Sequence, residues 1–98
     1  MGKGRILIAD GDLDFVADLC DHLASWGYDA VAERDGLAAL RRLAEVHPLV
    51  VIADLSTPRL DGFALLRQIR THHPDIVVII LTAHGSIESA MRALQEEG

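Results

Sequence analysis

The chain has 98 residues, half of them hydrophobic but only 4% aromatic, and its nine basic and fifteen acidic side chains give a formal charge of −6. That length holds one domain whose core must be packed by Leu, Ile, Val and Ala. The acidic balance excludes the basic footprint of a direct nucleic-acid binder, and the longest apolar run is far too short to span a bilayer.

The opening Met1-Gly2-Lys3-Gly4-Arg5 has no secretory apolar stretch and runs straight into a first strand at residues 5–9. Residues 13–25 set Val16, Leu19, Cys20 and Leu23 against Asp14, Asp18 and Asp21, which predicts an amphipathic helix stopped by Gly27. Cys20 is alone, so no intrachain disulfide forms and a reducing, cytoplasmic setting is expected. It reads as a small buried hydrophobe, with a reactive thiol as the alternative.

A short, more polar strand over residues 29–32 suits a sheet edge. Asp35 then caps a second helix through Val46, with Leu37, Leu40, Leu43 and Ala44 expected to face inward. Pro48 ends that helix, and Leu49-Val50-Val51-Ile52-Ala53 forms a third strand that stops at Asp54. Asp61-Gly62 opens a third helix with Phe63, Leu66 and Ile69 as its buried row, stopped by His73-Pro74. His72 and His73 fit favourable charge placement at a helix C-terminus, with a metal pair as the alternative. Residues 76–81 make the fourth strand. Gly85-Ser86 opens the last helix, with Ile87, Ala90, Met91 and Leu94 inward and a Glu88–Arg92 pair outside.

This βαβαβαβα order predicts a parallel sheet with right-handed crossovers. Strands 3 and 4 are almost wholly apolar, as strands covered on both faces are. Three strands end in an oxygen-bearing side chain: Asp10, Asp54 and Thr82. A carboxylate at the end of a buried strand is costly to desolvate, so it usually has a partner or a task. Together the three strand ends point to one shared site, where open α/β sheets bind ligands.

The segments Ile6-Leu7-Ile8-Ala9-Asp10-Gly11-Asp12, Val51-Ile52-Ala53-Asp54-Leu55-Ser56-Thr57-Pro58-Arg59-Leu60-Asp61-Gly62 and Ile80-Leu81-Thr82-Ala83-His84-Gly85-Ser86 resemble the receiver domain of two-component response regulators. The wording from Thr82 to Ala90 is most similar to receivers of the nitrogen-regulatory type. The resemblance implies a flavodoxin-like, doubly wound fold with sheet order 2-1-3-4. It implies that Asp54 is the phosphoacceptor, receiving its phosphoryl group from a sensor histidine kinase or a phosphotransfer protein, and that Thr82 is the switch hydroxyl. It also implies Mg2+, held by an acidic pair after the first strand, by Asp54 and by the backbone carbonyl of Ser56. The chemistry agrees, because a carboxylate attacking an electron-rich phosphoryl group needs a divalent cation and Mg2+ prefers oxygen ligands.

Two departures stand out. Where the family has adjacent carboxylates, this chain has Asp10, Gly11 and Asp12, so a glycine replaces a direct ligand and weak Mg2+ binding is expected. Asp12 either swings in as a ligand or caps the first helix. The family also continues into a fifth strand, carrying a lysine and an aromatic switch residue, and a fifth helix. The expectation is a receiver truncated before that strand, with strand 4 as an open edge that pairs with a second copy or promotes element swapping into a homodimer.

The domain reads as a stoichiometric signalling module, not an enzyme. The rival reading is a degenerate receiver acting as a phosphorylation-independent interaction module, favoured by Gly11 and the missing lysine. A small phosphatase or nucleotide-binding domain would call for a Gly-rich phosphate loop after strand 1, which is absent. For single residues the plain alternatives are a turn or cap role for Asp54, a strand-end role for Thr82 and loop roles for Ser56 and His84. Asp61 is read as a turn or cap residue.

Overall fold

The computed structural model describes residues 2–57, 59–81 and 86–97. Its elements run β1 (Gly4–Ala9), α1 (Leu13–Ser25), β2 (Tyr28–Glu33), α2 (Gly36–Val46), β3 (Val50–Asp54), α3 (Gly62–His72), β4 (Val77–Leu81) and α4 (Ile87–Glu97). The helix starts are chemically explicit. Asp12, Asp35 and Asp61 each accept a hydrogen bond from the backbone N–H three residues on, at 3.2, 2.7 and 2.8 Å. α2 ends where His47 takes a left-handed φ of 51°, just before buried Pro48.

All four strands are parallel and lie in the order β2-β1-β3-β4, the doubly wound arrangement expected. Alternation along the strands divides the core. Ile6, Ile8, Ile52, Ile79 and Leu81 face α1 and α4, where Leu19, Leu23, Ala90, Met91 and Leu94 meet them. Leu7, Ala9, Val51 and Ala53 face α2 and α3, against Ala39, Leu43, Leu65 and Ile69. Each fully buried Leu or Ile contributes about 1.5–3 kcal/mol, and such residues dominate both layers. Cys20 packs half-buried beside the α1 layer, and burial, reinforced by Asp21, pushes its thiol above the usual range, as suits a packing residue.

Three expectations about faces need correction. In α2 the buried row is Gly36, Ala39, Leu43 and Val46, while Leu37 and Leu40 are half-buried and Ala44 is exposed. In α3 it is Gly62, Leu65 and Ile69; Leu66 is half-buried and Phe63 is 52% exposed. Both errors have one cause. Each helix is seated by a glycine at its first position, Gly36 against the Leu60 carbonyl and Gly62 against the backbone of Asp54 and Leu55. In both helices that close approach puts the glycine at the head of the buried row. Finally, β3 is covered on both faces from Val50 to Ala53, but β4 is not. Val77, Val78 and Ile80 are half-buried, because β4 lies at the sheet edge.

Candidate functional site

The β1–β3 ladder runs up to the Ala9–Ala53 pair, so Asp10 and Asp54 emerge side by side from neighbouring strands. Asp10 is only 9% exposed. Its backbone N–H donates to the Glu33 carbonyl at 3.0 Å, and its Oδ1 accepts from the Asp12 N–H at 2.9 Å. Burial pushes its carboxyl above the usual value of 3.8; the Asp12 N–H opposes this, and the nearby charges of Asp54 and Asp12 add to it. Among the described residues no cation pairs with Asp10 or Asp54. Among the described residues the corner is therefore a buried acid beside a second acid with no cation paired to either.

Asp54 is the last residue of β3, half-buried and paired in register with Leu81. The segment after it is tied down at several points. The Leu55 N–H donates to the Leu81 carbonyl at 2.9 Å, and the Gly62 N–H donates to the Leu55 carbonyl at 3.2 Å. Thr57, 4% exposed, shares its hydroxyl proton between the carbonyls of Asp54 (3.1 Å) and Leu60 (3.0 Å). Arg59 has a left-handed φ of 66° and reaches Asp35, the cap of α2, at 3.1 Å. Cap hydrogen bonds and Arg59 hold the Asp35 carboxyl below its usual range, the Ala38 N–H being the largest cause.

Asp35-Gly36 was legible as a helix start, but nothing in the sequence says that Gly36 accommodates a distant loop or that Asp35 answers Arg59. Thr57 reads as a turn residue until its burial is known.

Residues 6–98 match the response regulator receiver domain family. The chain belongs to that family. The receiver is 34% identical over 91 residues to the regulatory protein AtoC of Escherichia coli strain K12, covering 93% of this chain and 20% of AtoC. It is 38% identical over 92 residues to the transcriptional regulatory protein GlrR of the same strain, covering 94% of this chain and 21% of GlrR. It thus spans about a fifth of the length of these relatives. The chemotaxis response regulator CheY4 of Vibrio cholerae shares the fold, with a TM-score of 0.85 over 95% of this chain and 97% of that one at 17% identity.

Within the receiver, the residues named from sequence fall as follows. Asp10 and Asp54 come together. Asp12 caps α1, with its Oδ1 turned to the Phe15 N–H. Ser56 is an exposed turn residue, and among the described residues no backbone N–H donates to its carbonyl. Thr82 and His84 lie outside the described residues. Asp61 is the cap of α3. His72 and His73 stand at the C-terminus of α3, lining a cavity of about 280 Å³ with His47 and Asp75. Among the described residues no three His, Cys, Asp or Glu side chains converge as a metal cage. No described helix is long and apolar enough to cross a membrane.

The donors that do meet suit Mg2+ in kind. The Asp10 and Asp54 carboxylates are oxygen donors for a hard cation that keeps several waters. The set is lean, because Gly11 offers no side chain and Asp12 is engaged at the helix start.

Proposed function

We propose that this receiver accepts a phosphoryl group on Asp54 from a sensor histidine kinase or a phosphotransfer protein. The observation that carries the reading is Asp10, buried beside Asp54 with no described cation to balance it. Burying such a pair is costly unless a cation enters. Asp10, Asp54 and the Ser56 carbonyl would hold Mg2+. When bound, it supplies positive charge that offsets the two carboxylates and the incoming phosphoryl oxygens.

The reacting atom is a carboxylate oxygen of Asp54. It attacks phosphorus in line, the bond from phosphorus to the donor imidazole nitrogen breaks, and the imidazole keeps that electron pair and takes up a proton. The Thr57 bridge fixes the backbone from which the carboxylate projects. Thr82 follows Leu81, the register partner of Asp54, and in this reading its hydroxyl moves to the new phosphoryl group. The role is stoichiometric, with turnover belonging to the donor. The open β4 edge, uncharged from Val77 to Leu81, would pair with a second copy or take part in element swapping.

Incubating the protein with a small acyl phosphate and Mg2+ tests the assignment. The wild type gains the mass of one phosphoryl group and Asp54→Asn gains none; equal labelling of the two proteins overturns it. Gly11 and the capping role of Asp12 favour a second reading, a degenerate receiver that acts by protein contact alone. Magnesium titration separates the two, since saturable binding at Asp10 and Asp54 belongs to the phosphoacceptor.

A further inference from the structure

We infer that Asp35 and Arg59 form a latch between the start of α2 and the acceptor loop, making Arg59 a positioning residue for the chemistry at Asp54. The inference rests on the phosphoacceptor reading for its purpose, but not for its geometry.

Residues 55–61 link β3 to α3 and carry the Ser56 carbonyl. Within that loop Arg59 has a φ of 66°, a region that side-chain-bearing residues seldom occupy without outside support. Support comes from 24 residues earlier in the chain: Arg59 Nη2 lies 3.1 Å from both Asp35 Oδ1 and Asp35 Oδ2. Asp35 is itself fixed, because its Oδ1 accepts the Ala38 N–H at 2.7 Å.

The next residue extends the contact. The Leu60 carbonyl oxygen sits so close over Gly36 that no Cβ fits between them. That carbonyl is also one of the two bridged by the Thr57 hydroxyl, and the other belongs to Asp54. A continuous path therefore joins the capping carboxylate of α2 to the backbone of the phosphoacceptor. It passes through Arg59, Leu60 and Thr57 in turn. Asp10 contributes nothing to this path, so the latch sets the acceptor side of the site independently of it.

The chemistry of Asp35 makes the latch separable from the helix cap. Asparagine caps as well as aspartate, so Asp35→Asn keeps α2 started while discharging the pair. Arg59→Gly removes the guanidinium at a backbone position that glycine occupies freely. Arg59→Lys retains the positive charge.

Amide hydrogen exchange by NMR on the whole chain reads the latch directly. Asp35→Asn and Arg59→Gly should speed exchange at the Thr57 and Gly62 amides about threefold, the scale of a partly exposed ion pair. Exchange in β1 and β3 should not change. Phosphorylation by acetyl phosphate at graded Mg2+ supplies the second readout. The Mg2+ needed for half-maximal rate should rise about threefold in both variants, with a similar rate at saturation, and Arg59→Lys should stay near the wild type. A general loss of stability would instead lower the saturated rate. Unchanged exchange at Thr57 and Gly62 overturns the latch. Faster exchange with an unaltered Mg2+ dependence overturns its positioning role. Faster exchange in a protein whose wild type never takes a phosphoryl group leaves the latch standing and removes the phosphoacceptor reading.

Discussion

After β1 the chain passes from Asp10 to the first turn of α1 through Gly11 and Asp12, held by main-chain hydrogen bonds and a helix cap. After β3 the chain needs seven residues to reach α3, and it is held by a buried threonine, an ion pair to another helix and two glycines pressed against backbone. Each corner presents a carboxylate to the same place, yet the two are constrained to different degrees. Among the described residues an added Cβ at Gly11 would meet only the Arg34 carbonyl oxygen, at an ordinary 3.5 Å. At Gly36 it would overlap the Leu60 carbonyl oxygen. The acceptor is held from several directions, whereas the corner that would supply the cation's ligands has room to change.

Gly36→Ala should do the most damage. The overlap is with backbone, so the loop or α2 must move, and thermal unfolding should show a loss of about 3 kcal/mol. That corresponds to roughly 12–24 °C in a domain this small. Gly11→Ala, measured in parallel, should stay within about 0.5 kcal/mol of the wild type. Equal losses at the two glycines would abolish the contrast. Thr57→Val comes next. It removes the shared proton and leaves two carbonyls short of a donor, a loss of about 1–2 kcal/mol by chemical denaturation.

The opposite corner should be improvable. Gly11→Asp places a second carboxylate beside Asp10, its Cβ in ordinary contact with the Arg34 carbonyl oxygen, and Mg2+ affinity by titration calorimetry should rise about tenfold. Without metal the same variant should be less stable, through like-charge repulsion.

Asp10→Asn should have a smaller effect on stability, and in the favourable direction. Burial raises the carboxyl of Asp10 above its unfolded value, so the folded state holds that proton more tightly than the unfolded chain. Its contribution is full below the unfolded value of 3.8 and is lost as pH rises through the folded value. At neutral pH the ionised form is the costly one. The asparagine variant should therefore be more stable than the wild type there by about 1 kcal/mol, with the difference shrinking in acid. Mg2+ should stabilise the wild type and not the variant.

Most of the architecture was legible because strand and helix periods differ and aspartates mark three helix starts. Element order and the parallel sheet follow from that local grammar, and the three oxygen-bearing strand ends point to a shared site; the sheet order comes from the family resemblance. The buried rows of α2 and α3 did not, because Gly36 and Gly62 let backbone approach backbone, and an absent side chain leaves no hydrophobic signal. The half-burial of Val78 and Ile80 reflects the edge position that the expected order 2-1-3-4 gives β4, whereas apolarity alone reads as burial on both faces. The Arg59–Asp35 pair and the Thr57 bridge leave no mark in the sequence, because both depend on contacts that exist only after folding. The Asp12 cap was open to two readings from sequence, and its hydrogen bond to Phe15 is what the structure adds.

The most direct test locates the phosphoryl group itself. The protein is treated with acetyl phosphate and Mg2+, the acyl phosphate is reduced with borohydride, and the digested peptides are sequenced by mass spectrometry. Reduction at Asp54 alone, as homoserine, is the predicted result. Reduction at another carboxylate, or none in a protein whose fold and Mg2+ binding are intact, would contradict the account.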